Sequence, residues 1–230
     1  MAIASRRDWR DGLLVGAAGL MLLLIADALV RDAGPPRGDD QIYELMAEQP
    51  FETHTFPFAY RVLVPTLVHV SPLGNTISFS LLAWLSSAAC ATVAYVLMRR
   101  FAAQPWLAAA LALCLALSPD LLLASIRQGR NVDPETVLVM LAGGLAVADR
   151  RPLALGVIVA IGATIRESAL FLIPFAYAYW AVRPFDRRAA IEAIAAGLPG
   201  LAIYVALRVG LPTVGGYGDP VGASRGRCRG

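Results

Sequence analysis

GLLVGAAGLMLLLIADALV, residues 12–30, decides what kind of protein this chain can be. A bilayer's hydrocarbon core is about 30 Å thick, which a helix crosses in about 20 apolar residues. Arg6, Arg7 and Arg10 precede the run, and Ala26-Asp27-Ala28 faintly resembles a cleavage site. A secretory leader also begins with a cationic segment and an apolar one. This run is nearer to span length than to leader length, and further apolar runs follow. It reads as an uncleaved first span.

The composition extends that reading along the chain. Of 230 residues, 57% are hydrophobic and only 16% are charged, against about 25% charged in a soluble domain. The deficit points to an integral membrane protein. Further spans read at 74–98, 105–125, 135–149, 152–165, 168–183 and 189–209. The segment 61–72 (RVLVPTLVHVSP) is too short to cross, is interrupted by Pro65 and Pro72, and reads as an interfacial helix. The expected fold class is all-α: a polytopic transmembrane helical bundle of about seven spans. It occupies residues 1–211, with an outer loop at 31–60. From Pro212 the chain becomes rich in Gly and Arg without periodicity, and 212–230 reads as a disordered or foreign tail.

Charge orients the bundle. With the N-terminus in the cytoplasm, the inside collects Arg6, Arg7, Arg10, Arg99, Arg100, Arg150, Arg151, Arg183, Arg187 and Arg188, while most acids fall outside. This is the positive-inside pattern. Trp9, Trp106 and Trp180 lie near the proposed cytoplasmic ends, where interfacial aromatics gather. The segment 152–183 admits one kinked helix with Arg166 and Glu167 at mid-depth, or two short helices meeting at Thr164-Ile165-Arg166-Glu167. A single span would put Arg183, Arg187 and Arg188 outside, so two helices are expected, stopping short and leaving a dent that opens outward. All 20 basic residues are Arg, spread along short loops rather than gathered on one face, which argues against nucleic acid. Cys90 and Cys114 lie in apolar runs and read as small buried hydrophobes.

The residues able to do chemistry fall on the outer side. Asp39 and Asp40 are adjacent carboxylates after the first span. One could serve as a general base toward an acceptor hydroxyl, or hold a divalent metal beside a phosphate. Tyr43, Met46 and Ala47 continue a helical register, so capping a helix start explains the pair equally well. Arg61 follows Pro57-Phe58-Ala59-Tyr60, which suits a lipid phosphate or ordinary snorkelling to the interface. Arg166-Glu167 reads as a phosphate ligand or as an ion pair that lets two helices turn. Asp120, Arg127, Arg130, Asn131, Asp133 and Glu135 surround the next outer loop, and Asp133 before Pro134 makes a good helix start. There is no HExxH, no GxSxG and no Gly-rich loop before a helix, so zinc hydrolysis, serine hydrolysis and nucleotide binding lack support.

Asp39-Asp40-Gln41-Ile42-Tyr43, directly after the first span, resembles the acidic pair and aromatic of the GT-C superfamily of membrane glycosyltransferases. The segments 57–65, Asn131-Val132-Asp133-Pro134-Glu135 and Thr164-Ile165-Arg166-Glu167 resemble stretches of uncharacterised bacterial multi-span proteins of that type. The resemblance implies transfer of a sugar from a polyprenyl-phosphate carrier to an extracytoplasmic acceptor. It implies a catalytic Asp39 or Asp40, with Tyr43, Arg61, Arg130, Arg166 and Glu167 meeting the donor. Its second acid is Asp where the family pattern has Glu. Family members are usually longer, so this chain reads as a shortened one. The implied partners are a lipid-linked sugar donor and membrane lipids, in the inner (cytoplasmic) membrane of a bacterium. Two other functions fit the same charges: a multi-span transporter or flippase, and a non-catalytic membrane protein.

Overall fold

Ser5 starts the first helix: its hydroxyl accepts from the Asp8 amide while the Asp8 carboxylate accepts from the Ser5 amide. This reciprocal cap satisfies donors that the first turn leaves orphaned. The structure, a computed structural model, describes residues 5–30, 38–52, 54–126, 130–211 and 213–214. Asp32, Arg127 and nearly all of the tail lie outside them. The helices are α1 (Arg6–Leu29), α2 (Asp39–Glu48), α3 (Leu63–His69), α4 (Asn75–Arg100), α5 (Pro105–Ala116), α6 (Pro119–Ile126), α7 (Asp133–Ala148), α8 (Pro152–Ile165), α9 (Leu172–Trp180) and α10 (Arg187–Gly210). Short 3-10 turns cover Phe58–Tyr60 and Glu167–Phe171. Residues His54–Thr55 pair in parallel with Thr213–Val214, tying the segment after α2 to the end of α10.

The described residues are all-helical apart from that pairing, and fewer than seven of their helices are of crossing length. Among the described residues, α1, α4 and α10 are long and apolar enough to cross a membrane. A fourth crossing arises if α5 and α6, bent by 53° at their break, act together. The runs at 135–149, 152–165 and 168–183 do form helices, but short ones. The 16 residues of α7 reach about 24 Å and the 14 of α8 about 21 Å, below a core of about 30 Å. Their ends are set by polar breaks: Asp133-Pro134 at the start of α7, Asp149-Arg150-Arg151 between α7 and α8, and Arg166-Glu167 after α8.

Segment 152–183 is two elements, as its charges require. Arg166 is extended (φ −160°, ψ 138°) and ends α8. The chain then returns: Trp180 Nε1 donates to the Val147 carbonyl at 2.9 Å, and the Arg150 guanidinium donates to the Trp180 carbonyl at 2.9 Å. The end of α9 therefore lies level with the start of α8. Trp180 is 3% exposed, so it is a packed clasp rather than the interfacial aromatic expected; Trp9 and Trp106 are exposed. Cys90 is buried as expected, whereas Cys114 is exposed.

Close helix contacts rest on glycine. Along α1, Gly12 faces Thr92 and Val96, and Gly16 faces Ala88 and Thr92, so α1 and α4 run antiparallel. Gly156 sits against the Ala196 carbonyl and Gly200 against the Val159 backbone, so α8 and α10 run parallel. Without a hydrophobic drive between helices in lipid, close backbone approach is a principal source of association.

The segment 39–69 is not an open outer loop. Tyr43, Met46, Phe58, Val64 and Val68 join one buried cluster with Val132, Val139, Ile165, Ala169 and Leu172 from the bundle. The dent left by the short helices is filled by this cap. His69 Nδ1 lies 2.8 Å from the Ala47 carbonyl and closes α3 onto α2.

A Cβ at position 16 would meet the Ala88 carbonyl at 2.8 Å, while one at Gly210 meets nothing. Gly16→Leu should therefore lower stability by about 1–3 kcal/mol through overpacking, and Gly210→Leu should leave it nearly unchanged. Thermal unfolding of both variants in detergent checks this; equal melting curves would contradict the α1–α4 packing.

Candidate functional site

The end of the bundle beneath the cap gathers most of the residues singled out by sequence. Asp39 and Asp40 stand in the first turn of α2, where carboxylates complement the helix dipole. Their environments differ. Asp40 is 4% exposed and engaged by a partner inside the protein. Asp39 is half-buried and remains within reach of an external group. The helical register carries Tyr43 one turn further and into the core.

Tyr43 and Arg61 form the centre. The Arg61 guanidinium donates to the Tyr43 hydroxyl at 2.8 Å and lies 3.5 Å from the Glu167 carboxylate. Its carbon sits 5.0 Å from the centre of the Phe58 ring, and the Phe58 ring meets Tyr43 edge-on at 5.5 Å. Arg61 is buried and committed to these partners. A phosphate could reach it only by displacing Glu167. Burial pushes the Tyr43 phenol up to about 12, and Arg61, Arg166 and Asp39 all lie near enough to act on it electrostatically.

Arg166 pairs closely with Asp133, the first residue of α7. Their side chains are 36% and 42% exposed, so this pair is open to competition from a solvent-borne anion. Arg130 lies 3.3 Å from Glu44 of α2 and donates to Thr76 of α4 at 3.0 Å. Arg130 thus staples the cap to the long helix. Among the described residues, no three His, Cys, Asp or Glu side chains converge to hold a metal.

Two further groups stand out in this bundle, of which the sequence reading missed Arg208. Arg208, in the last turn of α10, lies over Phe56, Tyr60 and Tyr204, with ring-centre distances of 5.1, 4.4 and 4.9 Å. Only the sequence neighbour Tyr204, one turn earlier on α10, hinted at this stacking. Glu135, expected at an outer-loop helix start, stands in the first turn of α7. It is 7% exposed, and the Ser86 hydroxyl of α4 lies close to its carboxyl.

The opposite end of the bundle carries the other described arginines. Arg99 pairs with Asp8 at 3.1 Å, and Arg100 pairs closely with Asp149, both side chains almost wholly buried. The fold and these sites define an all-helical protein with helices of membrane-crossing length and a differently charged face at each end. Comparison with protein-family models, with curated proteins and with solved structures gave no match.

A buried phenol whose ionisation is held back gives a direct optical test. Unfolded tyrosine ionises near pH 10, so the buried neutral phenol contributes stability below pH 10 that is lost between about 10 and about 12. In an absorbance titration at alkaline pH, Tyr43→Phe should remove amplitude from the late component near pH 12. Loss from the component near pH 10 would mean that Tyr43 is not buried. The same variant should cost about 1–3 kcal/mol, because it leaves a donor of buried Arg61 unpaired.

Proposed function

We propose that this chain is a multi-pass glycosyltransferase of the bacterial cytoplasmic membrane, moving a sugar from a polyprenyl-phosphate donor to an extracytoplasmic acceptor. The observation that carries the reading is local: a reachable carboxylate, Asp39, and a half-exposed guanidinium, Arg166, both lie near the Tyr43 phenol. Sugar transfer from a phosphate needs a base on one side of the anomeric carbon and positive charge on the other.

In this scheme Asp39 takes the proton from the acceptor hydroxyl. The new carbon–oxygen bond forms at the anomeric carbon, the bond to the donor phosphate breaks, and the phosphate leaves on its lipid. Arg166 exchanges Asp133 for that developing negative charge. Arg61, Tyr43 and Glu167 position the site rather than touch the donor, and buried Asp40 shapes the start of α2. The seven-span topology with a cytoplasmic N-terminus belongs to the same proposal. The short helices α7, α8 and α9 then cross a locally thinned bilayer, which brings their polar ends near headgroup phosphates.

Transfer should be detectable with a polyprenyl-phosphate sugar and purified protein in detergent. Asp39→Asn should lower the rate by about 10²-fold or more, the usual worth of a general base. An unchanged rate in both Asp39→Asn and Asp40→Asn would remove the roles given to this pair.

A second reading has one specific observation behind it. Glu135 is a buried carboxyl on α7 that no cation pairs with among the described residues, and ionisable groups inside a bundle often mark transport paths. Under that reading, proteoliposomes should show gradient-coupled uptake that Glu135→Gln abolishes. Intact sugar transfer in Glu135→Gln, with no uptake by the parent protein, would decide for the transferase.

A further inference from the structure

Three of the four described guanidiniums at the capped end already have carboxylates: Arg61 has Glu167, Arg130 has Glu44 and Arg166 has Asp133. Arg208 does not: among the described residues no carboxylate pairs with it, and its Nε, like those of Arg61 and Arg130, is buried without a hydrogen-bond partner. What surrounds it is aromatic. The rings of Phe56, Tyr60 and Tyr204 all lie within 5.1 Å of its guanidinium carbon.

Stacking and hydrogen bonding use different parts of a guanidinium. Aromatic rings engage its charge and its faces, while its five N–H groups lie in the plane and radiate from the edge. Rings on several sides therefore fix the plane without satisfying the donors. A fixed fork of donors matches the paired oxygens of a phosphate, and its orientation is set in advance. A purely structural role as a clasp between α10 and the Phe58–Tyr60 turn would not require a cation, since an apolar side chain would pack there without unmet donors.

Position supplies the rest. Arg208 stands in the last turn of a helix long and apolar enough to cross a membrane, at the end where the His54–Thr55 and Thr213–Val214 pairing closes. Headgroup phosphates lie at that depth, and tyrosine is enriched there. Tyr60 is also the immediate neighbour of Arg61, so the two guanidiniums flank one short turn.

We infer that Arg208, held flat by Phe56, Tyr60 and Tyr204, is the site that receives the phosphate of a membrane lipid. This deepens the transferase reading, on which it rests, by naming a second guanidinium, beside Arg166, that meets the donor's phosphate. Its test needs no sugar and no turnover, so the two can fail separately.

The full chain in detergent is titrated with farnesyl phosphate and followed by phosphorus NMR, with farnesol and inorganic phosphate as separate arms. Farnesyl phosphate should bind, and Arg208→Gln should weaken it at least about tenfold, the worth of a charge-assisted contact. Arg208→Lys should weaken it several-fold, because an ammonium keeps the charge and loses the planar fork. Farnesol should compete poorly. Equal affinity of parent and Arg208→Gln overturns the inference, as does inorganic phosphate binding as tightly as the lipid phosphate. Should Arg208→Gln lose the parent's helicity, Arg208→Lys decides alone, and unchanged affinity there overturns it. Binding that depends on Arg208 in a protein with no transfer activity keeps this site and removes the glycosyltransferase.

Discussion

A buried guanidinium holds the cap on this bundle. Arg61 is 7% exposed, a depth at which an unpaired charge would be strongly unfavourable. Its surroundings offset that cost with the Tyr43 hydroxyl, the Glu167 carboxylate and the Phe58 ring. Those partners come from α2, from the turn after α8 and from the turn just before Arg61. The cap cannot shift or lift without exposing or stranding one of them. Seating it covers the apolar ends of α7 and α8, where Asp133 opens one helix and Arg166 ends the other.

The two ends of the bundle treat charge differently. At the arginine-rich end, Arg100 and Asp149 are paired and almost sealed from solvent, and Arg150 and Trp180 clasp the α7–α8 turn to the end of α9. Breaking one partner of such a pair leaves a bare charge inside, so these contacts are fixed once formed. At the capped end, Arg166 and Asp133 are both more than one-third exposed. An exposed pair gains little from its mutual attraction and exchanges easily with an incoming anion.

Much of this was legible in one dimension. The register Asp39-Asp40-Tyr43-Met46-Ala47 marked α2, and the charges at Arg183, Arg187 and Arg188 required the chain to turn at Arg166. Both follow from local rules, helical periodicity and the cost of burying charge. Helix length was less legible. Apolar composition cannot tell a span from a short core helix, and α7, α8 and α9 fall below crossing length. The polar composition of 39–60 concealed a cap, because its few apolar residues, Tyr43, Met46 and Phe58, are the ones turned inward.

Sequence alone determined that the chain is helical, that its apolar runs suit a membrane, and which arginines share an end. These depend on neighbours a few residues apart. Only the tertiary structure decided which charges are spent on each other and which are left over. Arg61 is occupied by Tyr43, 18 residues away, and Arg166 by Asp133, 33 residues away. Arg208 meets Phe56 and Tyr60 from the far end of the chain. A guanidinium's role is set by what lies within a few ångströms of it, and those neighbours come from distant parts of the chain.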